Sequence, residues 1–149
     1  MAKYVSTKTY THLGPVAYRQ WRADSHCNLI HGYALSFHFE FECDTLDARN
    51  WCMDFGGLKP LKANLEDWFD HTLLVAEDDP EMDTVQMLQD KTLIDMRIVD
   101  AVGCERFAEL TFNKAQSIIE AQYGKRCWVE SVTVREHEHN SATVRRIHA

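Results

Sequence analysis

Between residues 33 and 41 apolar and polar positions alternate strictly, with Tyr33, Leu35, Phe37, Phe39 and Phe41 on one parity and Ala34, Ser36, His38 and Glu40 on the other. A period of two predicts a half-buried strand. Residues 16–23 are aromatic-rich and end shortly before His31, which predicts an antiparallel hairpin turning near Cys27-Asn28-Leu29. Leu58, Leu61, Leu65, Trp68 and Phe69 recur at helical spacing behind Gly56-Gly57, with Pro60 in the first turn, where a missing N–H costs little. This predicts an amphipathic helix ending near Asp70. A second helix is signalled by Ala108, Thr111, Phe112, Ala115, Ile118 and Ile119, with Gly124 placed to stop it. Residues 129–136 read as a strand whose buried parity holds Val132, Val134 and Glu136, and residues 142–147 as its partner. The acidic stretch 76–100 reads mostly as loop, with a short helix near 85–88 and a strand at 94–99. Two strands, two helices and two strands in that order predict an α+β fold with the helices on one face of an antiparallel sheet.

A chain of 149 residues, 45% of them hydrophobic, supplies one ordinary core, and no repeat or Pro/Gly-rich linker divides it. A single domain is expected. The formal net charge of -7 gives no general attraction to nucleic acid or to an anionic membrane, so an anionic substrate would need local basic help. No stretch approaches the ~20 apolar residues of a membrane span, and the start Met1-Ala2-Lys3-Tyr4 lacks the apolar run of a signal peptide. A cytoplasmic location is the expectation. The five cysteines (27, 43, 52, 104, 127) are odd in number and form no CxxC pair, against both a disulfide framework and a ribbon-type zinc site.

His26, Cys27 and His31 fall within six residues at the predicted turn. They are either polar turn histidines beside a buried cysteine, or two imidazoles and a thiol converging on a metal of the zinc kind. Asp70-His71 closes the first helix as an exposed polar end or as a carboxylate orienting an imidazole. Glu136 is more pointed, because a carboxylate on a buried parity needs an Arg, a His or a ligand to satisfy it. His137 and His139 beside it share one side of the strand and offer a competing metal cluster. Glu105 opens the second helix, as a first-turn acid favoured by the dipole or beside N–H groups that meet a polar ligand.

Taken in order, these pieces resemble the 6-pyruvoyltetrahydropterin synthase family, which includes the 6-carboxytetrahydropterin synthases of queuosine precursor synthesis. Cys27-Asn28-Leu29-Ile30-His31-Gly32-Tyr33 resembles the family's C-x-x-x-H-G-H, and Met53-Asp54-Phe55 with Leu58-Lys59 resembles its D-F-x-x-L-K. Phe69-Asp70-His71 resembles its L-D-H, Gly103-Cys104-Glu105 sits at its T-x-E helix start, and Glu136 matches its late glutamate.

The resemblance implies the tunnelling fold, in which strands of several subunits join into a barrel, here as a homo-oligomer, a trimer or a dimer of trimers. It implies a divalent metal, normally zinc on three histidines, at positions matched by His26, His31 and Tyr33. The third holds a phenol, a poor zinc ligand unless deprotonated. The first lies beside Cys27, whereas the family's is about ten residues earlier; His12 or a downstream histidine is the substitute to examine. Also implied are Cys27 as general base, an Asp70–His71 relay, and Glu136 and Glu105 on the pterin side of the site. The implied reaction is that of a carbon-carbon and carbon-oxygen lyase, converting 7,8-dihydroneopterin triphosphate to 6-carboxytetrahydropterin with loss of triphosphate and acetaldehyde. Its rivals are the pyruvoyl branch, which keeps the three-carbon side chain, and a barrel that binds metal or pterin without turnover.

Overall fold

The computed structural model describes residues 2–149, which form eight strands and three α-helices. One sheet has the order β1 (Tyr4–Tyr10), β4 (Ser36–Cys43), β7 (Cys127–His137), β8 (Asn140–Arg145), antiparallel throughout. The second has the order β3 (His31–Tyr33), β2 (Val16–Tyr18), β5 (Thr72–Ala76), β6 (Met96–Val99). Here only β2 and β3 are antiparallel; β2 with β5 and β5 with β6 run parallel.

The strand predicted over 33–41 is divided. Its first residue belongs to the short β3, which closes the predicted hairpin onto β2, while Ser36–Cys43 crosses to the other sheet and pairs with β1 and β7. Phe37, Phe39 and Phe41 are fully buried, each stabilising the fold by about 1.5–3 kcal/mol relative to exposure. α1 (Lys59–Phe69) follows a 3-10 turn at Phe55–Leu58, where the Asp54 carboxylate accepts the Gly56 N–H at 2.8 Å. Leu61, Leu65 and Phe69 face inward from α1, and Phe107, Ala108, Ala115 and Ile119 face inward from α3 (Cys104–Tyr123). These side chains and the inner face of β4 and β7 make one core.

The acidic stretch expected to be mostly loop contains α2 (Met82–Asp90) and β6. Val85 of α2 packs with Leu73 and Val75 of β5 in a small second cluster. β5 is buried at all five positions, as a parallel strand covered on both faces must be. The two sheets deliver three things to one end of the molecule: the β2–β3 rungs, the start of α3 and the last residues of β7. Aromatic rings link that end to the core, with Phe37 4.8 Å from Phe69, Phe69 5.5 Å from Phe107 and Phe107 5.0 Å from Tyr18 between centroids.

Candidate functional site

β2 and β3 pair with Val16 opposite Tyr33, Ala17 opposite Gly32 and Tyr18 opposite His31. Directly opposed residues share a face, and so do residues two apart, so Tyr18, His31 and Tyr33 project to the same side. Their rings lie 5.2–6.1 Å apart by centroid. The side chain facing His31 across the ladder is therefore Tyr18. His26, expected as the first metal ligand, lies instead on an exposed 3-10 turn, His26–Asn28, capped by the Ser25 hydroxyl. Tyr18 was missed because the hairpin register was left open, and the loop of residues 19–30 between the paired strands gives no tight turn from which to count rungs.

Glu136 meets this cluster from β7. The ladder to β8 is irregular between Arg135, opposite Ser141, and His137, opposite Asn140, leaving Glu136 as the extra residue of a bulge. The Tyr18 hydroxyl donates to Glu136 Oε1 over 3.4 Å, a long bond. The Cys104 thiol at the start of α3 also lies close enough to feel the Glu136 charge. No cation pairs with Glu136 among the described residues. Burial, then the nearby negative charges, pushes the Tyr18 phenol far up. Burial and then the Glu136 charge also raise Tyr33, and they lift the Cys104 thiol to about 12. At neutral pH the phenols and the thiol around Glu136 are thus uncharged.

Cys27 occupies the half-buried middle of the 3-10 turn, with its carbonyl accepting the Gln20 N–H at 2.9 Å. Asp70 and His71 form the expected pair, Oδ1 to Nδ1 at 2.5 Å, with the imidazole largely exposed. Val16 pairs with both Tyr33 and Thr72, so His71 adjoins the same end of the second sheet, roughly two strand spacings (~10 Å) from Tyr33 along the backbone. Glu105 is exposed on the first turn of α3, beside Gly103. His137 is engaged in the β7–β8 turn, its Nδ1 accepting the His139 N–H at 3.1 Å and its Nε2 3.1 Å from Asn140 Nδ2. His12 is exposed ahead of β2.

A three-histidine zinc centre does not fit these residues. Of the three side chains that meet on the hairpin, two are protonated phenols and one is an imidazole, against the three nitrogen, sulfur or carboxylate ligands a catalytic zinc requires. Among the described residues no group of three or more His, Cys, Asp or Glu side chains is placed to hold a metal ion.

Two sheets joined by α3, with a carboxylate at the end of β7 facing a hairpin of polar rings, define a tunnelling-fold subunit. The family described as 6-pyruvoyl tetrahydropterin synthase matches residues 14–147, and the chain belongs to that family. Among solved structures, an uncharacterised protein from Wolinella succinogenes superposes with a TM-score of 0.84 at 18% identity, covering 99% of this chain and 100% of that one. The 6-pyruvoyl tetrahydropterin synthase of Plasmodium vivax gives 0.66 at 15% identity, covering 96% and 98%. That of Caenorhabditis elegans gives 0.66 at 17%, covering 99% and 98%. No curated protein matches the sequence.

Proposed function

We propose that the protein binds a reduced pterin through Glu136 and processes its side chain as a lyase of the 6-carboxytetrahydropterin synthase type. The observation that carries the reading is Glu136 itself: a carboxylate re-aimed by a bulge, without a cationic partner, in a chain of the pterin synthase family. Such a group accepts the ring N–H and amino donors of a pterin in a charge-assisted pair, which fixes the ring while the side chain reacts. Cys27 withdraws a proton from the substrate side chain, and the Asp70–His71 pair holds and returns protons. Elimination of triphosphate, addition of one water and loss of acetaldehyde then leave the 6-carboxy product of the queuosine route. The shallow placement of Glu136 on one subunit supports a homo-oligomer in which a second copy covers the ring. Among the described residues no helix is long and apolar enough to cross a membrane; a cytoplasmic location is part of the proposal.

Tyrosines at two of the three hairpin positions favour a second reading, a pterin-binding barrel without turnover. Incubation with 7,8-dihydroneopterin triphosphate and product identification by mass distinguishes the readings. Release of acetaldehyde with the 6-carboxy product is expected. A retained three-carbon side chain would move the protein to the pyruvoyl branch, and binding without products would establish the second reading.

A further inference from the structure

The hydrogen bonds of His31 fix more than its orientation. Nδ1 lies 2.6 Å from the Leu29 carbonyl oxygen, which can only accept, so Nδ1 carries the ring proton and Nε2 presents a lone pair. Nε2 lies 3.1 Å from the Tyr33 hydroxyl, within hydrogen-bond distance. The ring nitrogen that a metal would need is thus already engaged by a phenol. Across the rung the Tyr18 hydroxyl is turned to Glu136. Each polar atom of the hairpin face thus has a partner within the protein.

We propose that this site takes its ligand without a metal, the Tyr18 and Tyr33 oxygens receiving the hydroxyl groups of a ring substituent while Glu136 accepts from the ring. Tyr33, held by His31, keeps a free lone pair that can accept. Tyr18 is released from its long bond to Glu136 when ring donors take over the carboxylate. A hydroxylated substituent is matched to two such oxygens. The nature of the ring rests on the pterin reading above; the absence of metal does not.

The experiment uses the full chain with two probes, zinc alone and neopterin. Wild type is expected to lose zinc to a chromophoric chelator, and to bind neopterin with a dissociation constant that the chelator leaves unchanged. The double variant Tyr18→His with Tyr33→His is expected to gain about one zinc per chain, with affinity at least about a hundredfold above wild type. Tyr33→Phe keeps the ring, and so the packing, and is expected to weaken neopterin about tenfold without acquiring zinc. Stoichiometric zinc in wild type that survives chelator dialysis, or neopterin binding abolished by the chelator, overturns the proposal. Failure of wild type to bind neopterin at all overturns the pterin reading, while the zinc competition still decides whether the site is metal-free.

Discussion

The Arg19 guanidinium lies side-on against the Asp79 carboxylate, Nε to Oδ2 at 2.9 Å and Nη2 to Oδ1 at 2.7 Å, with the Asp79 side chain 2% exposed. The remaining Arg19 nitrogen donates to the side chain and carbonyl of Asn28 at 3.0 and 3.3 Å. This pair ties the residue after β2 to the loop after β5, and it holds the turn that carries Cys27. Hydrogen bonding to Arg19 keeps the Asp79 carboxyl below the usual carboxylate range. In that range the unfolded chain binds the extra proton, so stability rises with pH there; the contribution is complete above ~4 and is lost as pH falls through the folded value. Arg19→Ala leaves a buried charge unpaired and is expected to cost about 3–5 kcal/mol in chemical denaturation. The same variant should lose part of the acid dependence below about pH 4, measured by melting temperature against pH.

Gly14 has φ +127, and a Cβ on it would lie 1.8 Å from Asp70 Oδ1, the oxygen that holds His71. Gly14→Ala must push the carboxylate aside and strain the backbone at once. A loss of about 1–3 kcal/mol in stability is expected. Turnover should fall further than pterin affinity, because the Asp70–His71 contact breaks while Glu136 is untouched; kcat and ligand titration together read this.

Glu136→Gln removes the charge that the Tyr18 hydroxyl faces and that a pterin ring would meet. Losing a charged hydrogen bond costs roughly 1.5–3 kcal/mol, or about tenfold to a hundredfold in pterin affinity. The melting temperature should hold, since no ion pair depends on this side chain. An unchanged dissociation constant would remove Glu136 as the anchor.

Cys43, Cys52, Cys104 and Cys127 are buried, and burial raises each of their thiols, Cys43 to about 11. Reactivity follows the thiolate and its access, so these four should label slowly in the native protein. Cys27 is half-buried on its turn, and one fast thiol per chain is expected with an aromatic disulfide reagent, absent in Cys27→Ala. That variant should also lose turnover while keeping pterin affinity, as befits a base that is not a tether.

α1, α3 and β7 were legible because their apolar residues keep one period over many residues. β1 was not: its inward parity holds Ser6 and Lys8 before Tyr10, so the strand is defined by its pairing with β4 rather than by apolar alternation. β5 hid for the opposite reason, being apolar at nearly every position in a run too short to tell from a helix end. The antiparallel expectation failed for the second sheet because parallel neighbours are distant in sequence and leave no local turn signal. At the site, Glu136 stood out by its parity, and Asp70-His71 by its resemblance to the family's L-D-H rather than by the dipeptide itself. The Tyr18–His31 rung could not be read, since it depends on a register that the loop of residues 19–30 conceals.

The bulge at Glu136 has a consequence for how such a site can change. The β4 ladder runs no further than Arg135, and the β8 ladder steps over Glu136 from Arg135 to His137. Neither row of backbone bonds passes through the anchoring residue, so the sheet is complete whatever side chain stands there. Ligand preference can therefore be rewritten at a position whose neighbours never need to move, and a variant with new binding chemistry would inherit the old subunit intact.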